Sequence, residues 1–257
     1  MSFEIGLMSV TFRQLNIEEV IATATSAGVT ALSWTGDAHV PPGDTGAIDL
    51  ARNASEAAGL RLEGYGAYWR AQDDDVEPWL DTAASLGASR VRIWAGGQGS
   101  ADVTEADRAG VTDRIARAAD QAAERGLTLA LEFHLNTLTD TGESTARLLD
   151  EVAQRRQSPR PALQSYWQPR PGVGIDTARE ELGILGDALA AVHVFSWDAQ
   201  GTRYPLARNA EFWEQAIAAL PAQDLPAELM LEFVKDESTA QFEQDVQSLR
   251  EILQRLP

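Results

Sequence analysis

The sequence predicts a single (β/α)8 TIM barrel, of the α/β class, and three observations carry that prediction. The chain has 257 residues, the usual size of this fold. Short apolar runs alternate with amphipathic stretches through eight units, the rhythm of βαβ repeats and a parallel sheet. Three of those runs also carry polar residues near their C-terminal ends, on the rim where barrel enzymes keep their chemistry. An open doubly wound sheet shares the alternation, but eight units in this length favour closure. One domain over residues 1–257 follows.

The first strand is expected at Phe3 to Thr11, with a helix starting near Asn16, where Asn16 and Glu19 have capping-box spacing and Gly28 supplies the stop. The second strand, Ala31 to Thr35, leads through GDAHVPPGD to a helix ending near Gly59. The third strand is Arg61 to Tyr68 and its helix Val76 to Leu86. The fourth strand, RVRIWA from Arg90 to Ala95, runs into the loop GGQGS and a long helix from Thr104 to Arg125. The fifth strand is Leu127 to His134, with a helix from Glu143 to Gln154. Proline-rich loops flank the sixth strand, Ala162 to Gln168. The seventh strand is Ala191 to Trp197, the eighth Glu228 to Val234, and the last helix runs from Ser238 to Leu256. No helix boundaries are assigned between the sixth and eighth strands.

Composition narrows the chemistry. The chain has no cysteine, which excludes disulfides, thiolate metal sites and cysteine nucleophiles. No apolar run reaches the length of a membrane span, and the N-terminus lacks the basic region and cleavage site of a secretory signal, so a cytoplasmic location is expected. A net charge of −18 repels nucleic acid and anionic membrane surfaces.

A parallel strand covered on both faces should be apolar throughout. LALEFH and LMLEFV each place a glutamate, Glu132 and Glu232, near the strand end, and AAVHVF places His193 there. An unpaired buried carboxylate is costly. One divalent cation held by Glu132, His193 and Glu232 would satisfy both carboxylates; salt bridges to rim arginines are the alternative. His134 lies two residues after Glu132 and so points the same way. It could be a further ligand, a substrate contact or a proton carrier, or a residue that orients Glu132. Gln168, closing SYWQP, offers a neutral oxygen. The donor set suits Mn²⁺ or Mg²⁺ first and Co²⁺ or Zn²⁺ second. Trp34, Asp37, His39, Tyr68, Trp69, Arg92 and Trp94 are expected to shape the pocket, with Lys235 and Asp236 following the eighth strand. Such residues suit a small-molecule sugar or polyol, although rim packing and solvated charge explain several of them equally well. GGQGS resembles a phosphate cradle only weakly, so an unphosphorylated substrate is expected.

On these residues the chain resembles the xylose isomerase-like TIM-barrel superfamily, and within it the sugar phosphate isomerase/epimerase-like proteins that share YWQP. The superfamily includes sugar isomerases, ketose 3-epimerases, inosose dehydratases and endonuclease IV-type repair enzymes. The resemblance implies a metal held by Glu132, a residue of the sixth strand, His193 and Glu232. It implies a substrate contact from Arg203, in HVFSWDAQGTRYPL, and a homo-oligomer. The family's sixth-strand aspartate and its Asp-x-x-His pattern are missing here, and Gln168 is the candidate in that place. The implied activity is a metal-dependent sugar isomerase or epimerase, in which Glu132 and Glu232 move a proton next to a carbonyl and the cation stabilises an enediolate. A dehydratase of a keto-inositol or keto-sugar is the first alternative and a non-catalytic sugar-binding protein the second. A repair nuclease needs more histidines and a basic groove.

Overall fold

The computed structural model describes residues 3–72, 75–158, 163–221 and 228–256. Eight parallel strands close into a barrel in sequence order: β1 (Ile5–Met8), β2 (Ala31–Thr35), β3 (Arg61–Gly66), β4 (Arg90–Ile93), β5 (Thr128–Leu131), β6 (Leu163–Trp167), β7 (Leu189–Val194) and β8 (Glu228–Leu231). Closure is made by β1 against β8, with Ile5 opposite Leu229. The helices are α1 (Ile17–Ala27), α2 (Thr45–Ala57), α3 (Glu77–Leu86), α4 (Glu105–Glu124), α5 (Gly142–Arg155), α6 (Ile175–Leu185), α7 (Ala210–Ala218) and α8 (Thr239–Arg255). The capping box at Asn16 and Glu19 forms, and Gly28 ends α1 in the left-handed conformation that glycine adopts at little cost.

Most strands stop earlier than the sequence predicts. β5 ends at Leu131 and β8 at Leu231, so both glutamates stand one residue beyond. The ladder still reaches them, because Glu132 N–H donates to the Ile93 carbonyl at 2.8 Å and Glu232 N–H to that of Val194 at 3.1 Å. The two helices without predicted boundaries are α6 and α7. Neither has a side-chain N-cap, and α6 carries Gly183 in its interior, which weakens the local helix signal. The predicted strand start at Ala162 and the prolines of 159–161 lie outside the described residues.

The outward strand faces pack on the helices in one large apolar core that includes Leu7, Leu32, Trp167, Trp213 and Phe242. The inward face holds a much smaller apolar layer: Met8, Ala31, Ala130, Tyr166, Ala191 and Met230. Beneath it lies a charged floor. Arg90 pairs with Glu63 and with Glu228 (2.9 Å), Arg61 bridges Glu228 and Glu4, and the Tyr166 hydroxyl donates to Glu63 at 2.6 Å. Burial pushes the Glu63 carboxyl up, but Arg90 and Tyr166 outweigh it and hold it below the ordinary carboxylate value. Glu63→Ala would leave Arg90 and Tyr166 without this partner. Loss of one member of a buried pair costs about 3–5 kcal/mol, and denaturant unfolding is expected to show it. A loss under about 1 kcal/mol would mean the floor is hydrated and screened.

Candidate active site

Strand parity builds the site. Side chains two apart share a face, so with Ala130, Tyr166, Ala191 and Met230 inside the barrel, Glu132, Gln168, His193 and Glu232 form the next inward layer towards the C-terminal rim. All four are buried. His193 Nδ1 donates to Gln168 Oε1 at 3.1 Å, and the same nitrogen lies 3.5 Å from Glu132 Oε1 and 3.3 Å from Glu232 Oε2. The contact to Glu232 is a charge contact without hydrogen-bond alignment, and Glu232 Oε2 has no hydrogen-bond partner; neither has His193 Nε2. The Tyr166 ring supports the imidazole from below, with centroids 5.0 Å apart.

The two glutamates are not equivalent. Arg92, inward on β4, places its Nη1 against Glu132 Oε2. One rim arginine therefore engages Glu132, as the salt-bridge alternative expected, while Glu232 has no guanidinium partner among the described residues. Burial pushes the Glu132 carboxyl up, but Arg92 and His193 outweigh it and hold it down to about 2. Burial pushes the His193 imidazole down, but Glu232 and Glu132 together raise it to about 9. Without a cation, Glu132 and Glu232 are thus balanced by Arg92 and a protonated His193. Gly66 makes room for this arrangement, since a Cβ there would lie 2.7 Å from Arg92 Nη2. Gly66→Ala is expected to push the guanidinium off Glu132 and cost about 1–3 kcal/mol, read as a lower denaturation midpoint.

An octahedral ion with ligands at about 2.1 Å holds neighbouring donors about 3 Å apart, close to the separations between His193 Nδ1 and the three oxygens. The orphaned Glu232 Oε2 is an unused donor. Among the described residues no cluster of three or more carboxylate and imidazole groups stands ready as a cation cage. The hold of Arg92 on Glu132 is consistent with that.

Two aromatic walls rise beside the layer. On one side Tyr68, Trp94 and His134 stand together, with Trp94 4.5 Å from His134 and 6.2 Å from Tyr68. Arg70 lies over Trp94 at 4.1 Å, and Arg13 donates to the Tyr68 hydroxyl at 2.6 Å. His134 Nδ1 donates to the Leu135 carbonyl, so the ring belongs to this wall and makes no bond to Glu132. On the other side Trp197 stacks on Phe233 at 5.6 Å, and Arg203 covers Phe233 at 4.9 Å while Glu237 lies 3.3 Å from its Nη1. The sequence reading named neither Phe233 nor Trp197 as a site residue. Phe233 is held at a positive φ of 49°.

Several expectations need correction. Trp34 is outside the pocket: its neighbours Ala31 and Ser33 take the inward face, and its indole N–H donates to Ser55 on α2 at 3.1 Å. His39 is structural. It lies 3.1 Å from the Ser9 hydroxyl and 3.1–3.2 Å from the Phe12 and Leu15 carbonyls, and burial keeps its imidazole below the usual value. Trp69 is buried in the outer core. The Lys235 ammonium pairs with its neighbour Asp236, both well exposed, as solvated charge. Asp37 pairs with Arg13. In GGQGS, Ser100 N–H donates to Asp140 at 2.9 Å, so that amide caps a carboxylate of this chain.

Comparison with known proteins agrees with this architecture. A curated 3-dehydroshikimate dehydratase of Bacillus anthracis is 41% identical over 64 residues, spanning 25% of this chain and 23% of that protein. The match thus covers less than a quarter of the relative. The crystal structure of a probable 3-DHS dehydratase involved in petrobactin synthesis, from Bacillus anthracis, superposes with a TM-score of 0.79 at 18% identity, covering 96% of this chain and 98% of the other. A D-allulose 3-epimerase from Methylomonas sp. superposes with a TM-score of 0.69 at 18% identity over 100% of both chains. The family model described as xylose isomerase-like TIM barrel matches residues 21–252, and the chain belongs to that family.

Proposed function

We propose that this chain is a divalent-cation-dependent isomerase or epimerase that removes a proton next to the carbonyl of a sugar or polyol. The observation that carries the reading is the convergence of Glu132, Gln168 and Glu232 oxygens on His193 Nδ1 within 3.1–3.5 Å, in a buried layer at the barrel mouth. Glu132, Gln168, His193 and Glu232 would hold the cation, and this hard oxygen and nitrogen set favours Mn²⁺ or Mg²⁺ over Co²⁺ or Zn²⁺. When bound, a cation supplies Lewis-acid polarisation of substrate oxygens. Glu232, with its unpartnered oxygen, is the proton acceptor. Glu132 faces it across His193 and is the partner that Arg92 keeps charged. Tyr68, Trp94 and His134 on one wall and Arg203 with Phe233 on the other orient the polyol by stacking and hydrogen bonds. The net charge of −18 favours a small-molecule substrate over a nucleic-acid partner.

A dehydratase is the second reading, favoured by the two dehydratase relatives. It shares proton removal by Glu232; the neighbouring C–O bond then breaks, and the hydroxyl leaves with a proton as water. Metal analysis tests the common ground. We expect one divalent ion per chain in the purified protein and loss of it in Glu232→Gln; native protein that retains none after incubation with Mn²⁺ overturns the reading. Incubation with free ketoses and inososes then separates the two reactions, since an isomer keeps its mass and a dehydration product is lighter by one water.

A further inference from the structure

We propose that Tyr166 is a positioning residue for His193, held in place by the charged floor of the barrel through its hydroxyl. The inference rests on the cation-dependent reading above and names what aligns the imidazole for the ion. An imidazole that ligates a metal ordinarily donates a hydrogen bond from its second ring nitrogen, and that bond fixes the ring. His193 has no such bond. Its Nδ1 faces the oxygens of Glu132, Gln168 and Glu232, and its Nε2 is buried without a partner. The bond from Nδ1 to Gln168 is the one that a ligated cation replaces. What remains to fix the ring is packing, and Tyr166 packs against it, with centroids 5.0 Å apart and planes at 46°.

Tyr166 acts as a strut. On the adjacent strands its neighbours in the inward layer are Ala191 on β7, opposite it in register, and Ala130 on β5. Methyl groups on both sides do not wedge a phenol ring. The far end of the side chain supplies the fixed point instead. The hydroxyl donates to Glu63 Oε1 at 2.6 Å, from β6 to β3 across the barrel, and Arg90 on β4 pairs with that same oxygen and with Glu228 on β8. A hydrogen bond to a charged acceptor is roughly twice as strong as a neutral one. Gly64 leaves the room it needs, since a Cβ there would lie 3.2 Å from the hydroxyl oxygen. The ring is thus tied at its Cα to β6 and at its oxygen to β3, beneath His193.

Calorimetric titration of the metal-free full chain with Mn²⁺ tests the assignment. Wild-type chains that bind no Mn²⁺ overturn the cation reading itself. Tyr166→Phe keeps the ring and removes the anchor, and is expected to weaken Mn²⁺ binding at least about tenfold, as loss of a residue that orients a ligand typically does. Glu63→Ala removes the other half of the same bond and is expected to weaken it by a similar factor. Tyr166→Phe decides alone where Glu63→Ala does not fold. Zn²⁺ relies more on imidazole than Mn²⁺ does, so its affinity is expected to fall by the larger factor in both variants. Val246→Ala, in the outer core on α8, lowers stability outside the inward layers and is expected to leave both affinities unchanged. Wild-type affinity in either the Tyr166 or the Glu63 variant, equal factors for the two ions, or a comparable loss in Val246→Ala overturns the positioning role and leaves the cation reading standing.

Discussion

Glu232→Gln is expected to lower turnover by at least about 10³-fold, because it removes both a positioned proton acceptor and a cation ligand, and to cost less stability than Glu132→Gln. Glu232 has no guanidinium partner among the described residues and one oxygen without a hydrogen bond. The amide keeps the side chain's shape and removes a charge that faces the His193 imidazole at 3.3 Å and no guanidinium among the described residues. Glu132→Gln is expected to behave differently. It strips Arg92 of its carboxylate, and an uncompensated buried guanidinium costs about 3–5 kcal/mol. Turnover and stability fall together there. The check is a pair of measurements on each variant: turnover with Mn²⁺ in excess, and unfolding in denaturant with EDTA present. Equal stability losses in the two variants would mean that Arg92 serves both glutamates alike, and the division of labour between them would fail.

The contrast between the two glutamates marks the limit of what the sequence makes legible. The barrel is readable because apolar runs and amphipathic stretches alternate, and because a helix end such as Gly28 carries its own backbone signal. Glu132, Gln168, His193 and Glu232 are readable because each is polar where a doubly covered strand should be apolar. Their inequality is not readable from single strands, since it depends on which neighbour lies beside each. Arg92 is paired in register with Ala130, two residues before Glu132, and only the pairing of β4 with β5 sets that arginine against that carboxylate. The charged floor goes further and depends on closure of the barrel, which brings β8 to β3 and β4. Trp34 shows a signal that was present: its neighbour Ser33 shares parity with Ala31 on the inward face, so the indole must point to the helices. His39 offers no such signal, because its partners lie in the turn after β1, far away in sequence.

In EDTA the protein is expected to lose stability as pH rises from about 6.5 to about 9, and His193 is the cause. The unfolded imidazole titrates near 6.5, whereas the folded one is raised to about 9 by Glu232 and Glu132 against the cost of burial. A folded value above the unfolded one means that the proton stabilises the fold. The contribution is fully present below about 6.5 and disappears as pH passes about 9, an effect on the order of 3 kcal/mol for this separation. For a chain of this size that is a fall of roughly 6–12 °C in melting temperature. Glu132 acts in the opposite sense, since its carboxyl is lowered to about 2. Its contribution is present above about 4.5 and is lost only as pH falls towards 2, so it leaves the alkaline limb untouched. Cation binding competes with the His193 proton. Each ion bound below pH 9 must release that proton, so affinity for Mn²⁺ is expected to rise about tenfold per pH unit across the same interval. Melting curves between pH 6 and 9.5, with EDTA and with Mn²⁺, check both statements. His193→Gln should flatten the EDTA curve. A wild-type curve already flat in EDTA would show that the imidazole is neutral in the metal-free protein, and that Arg92 alone balances the glutamates there.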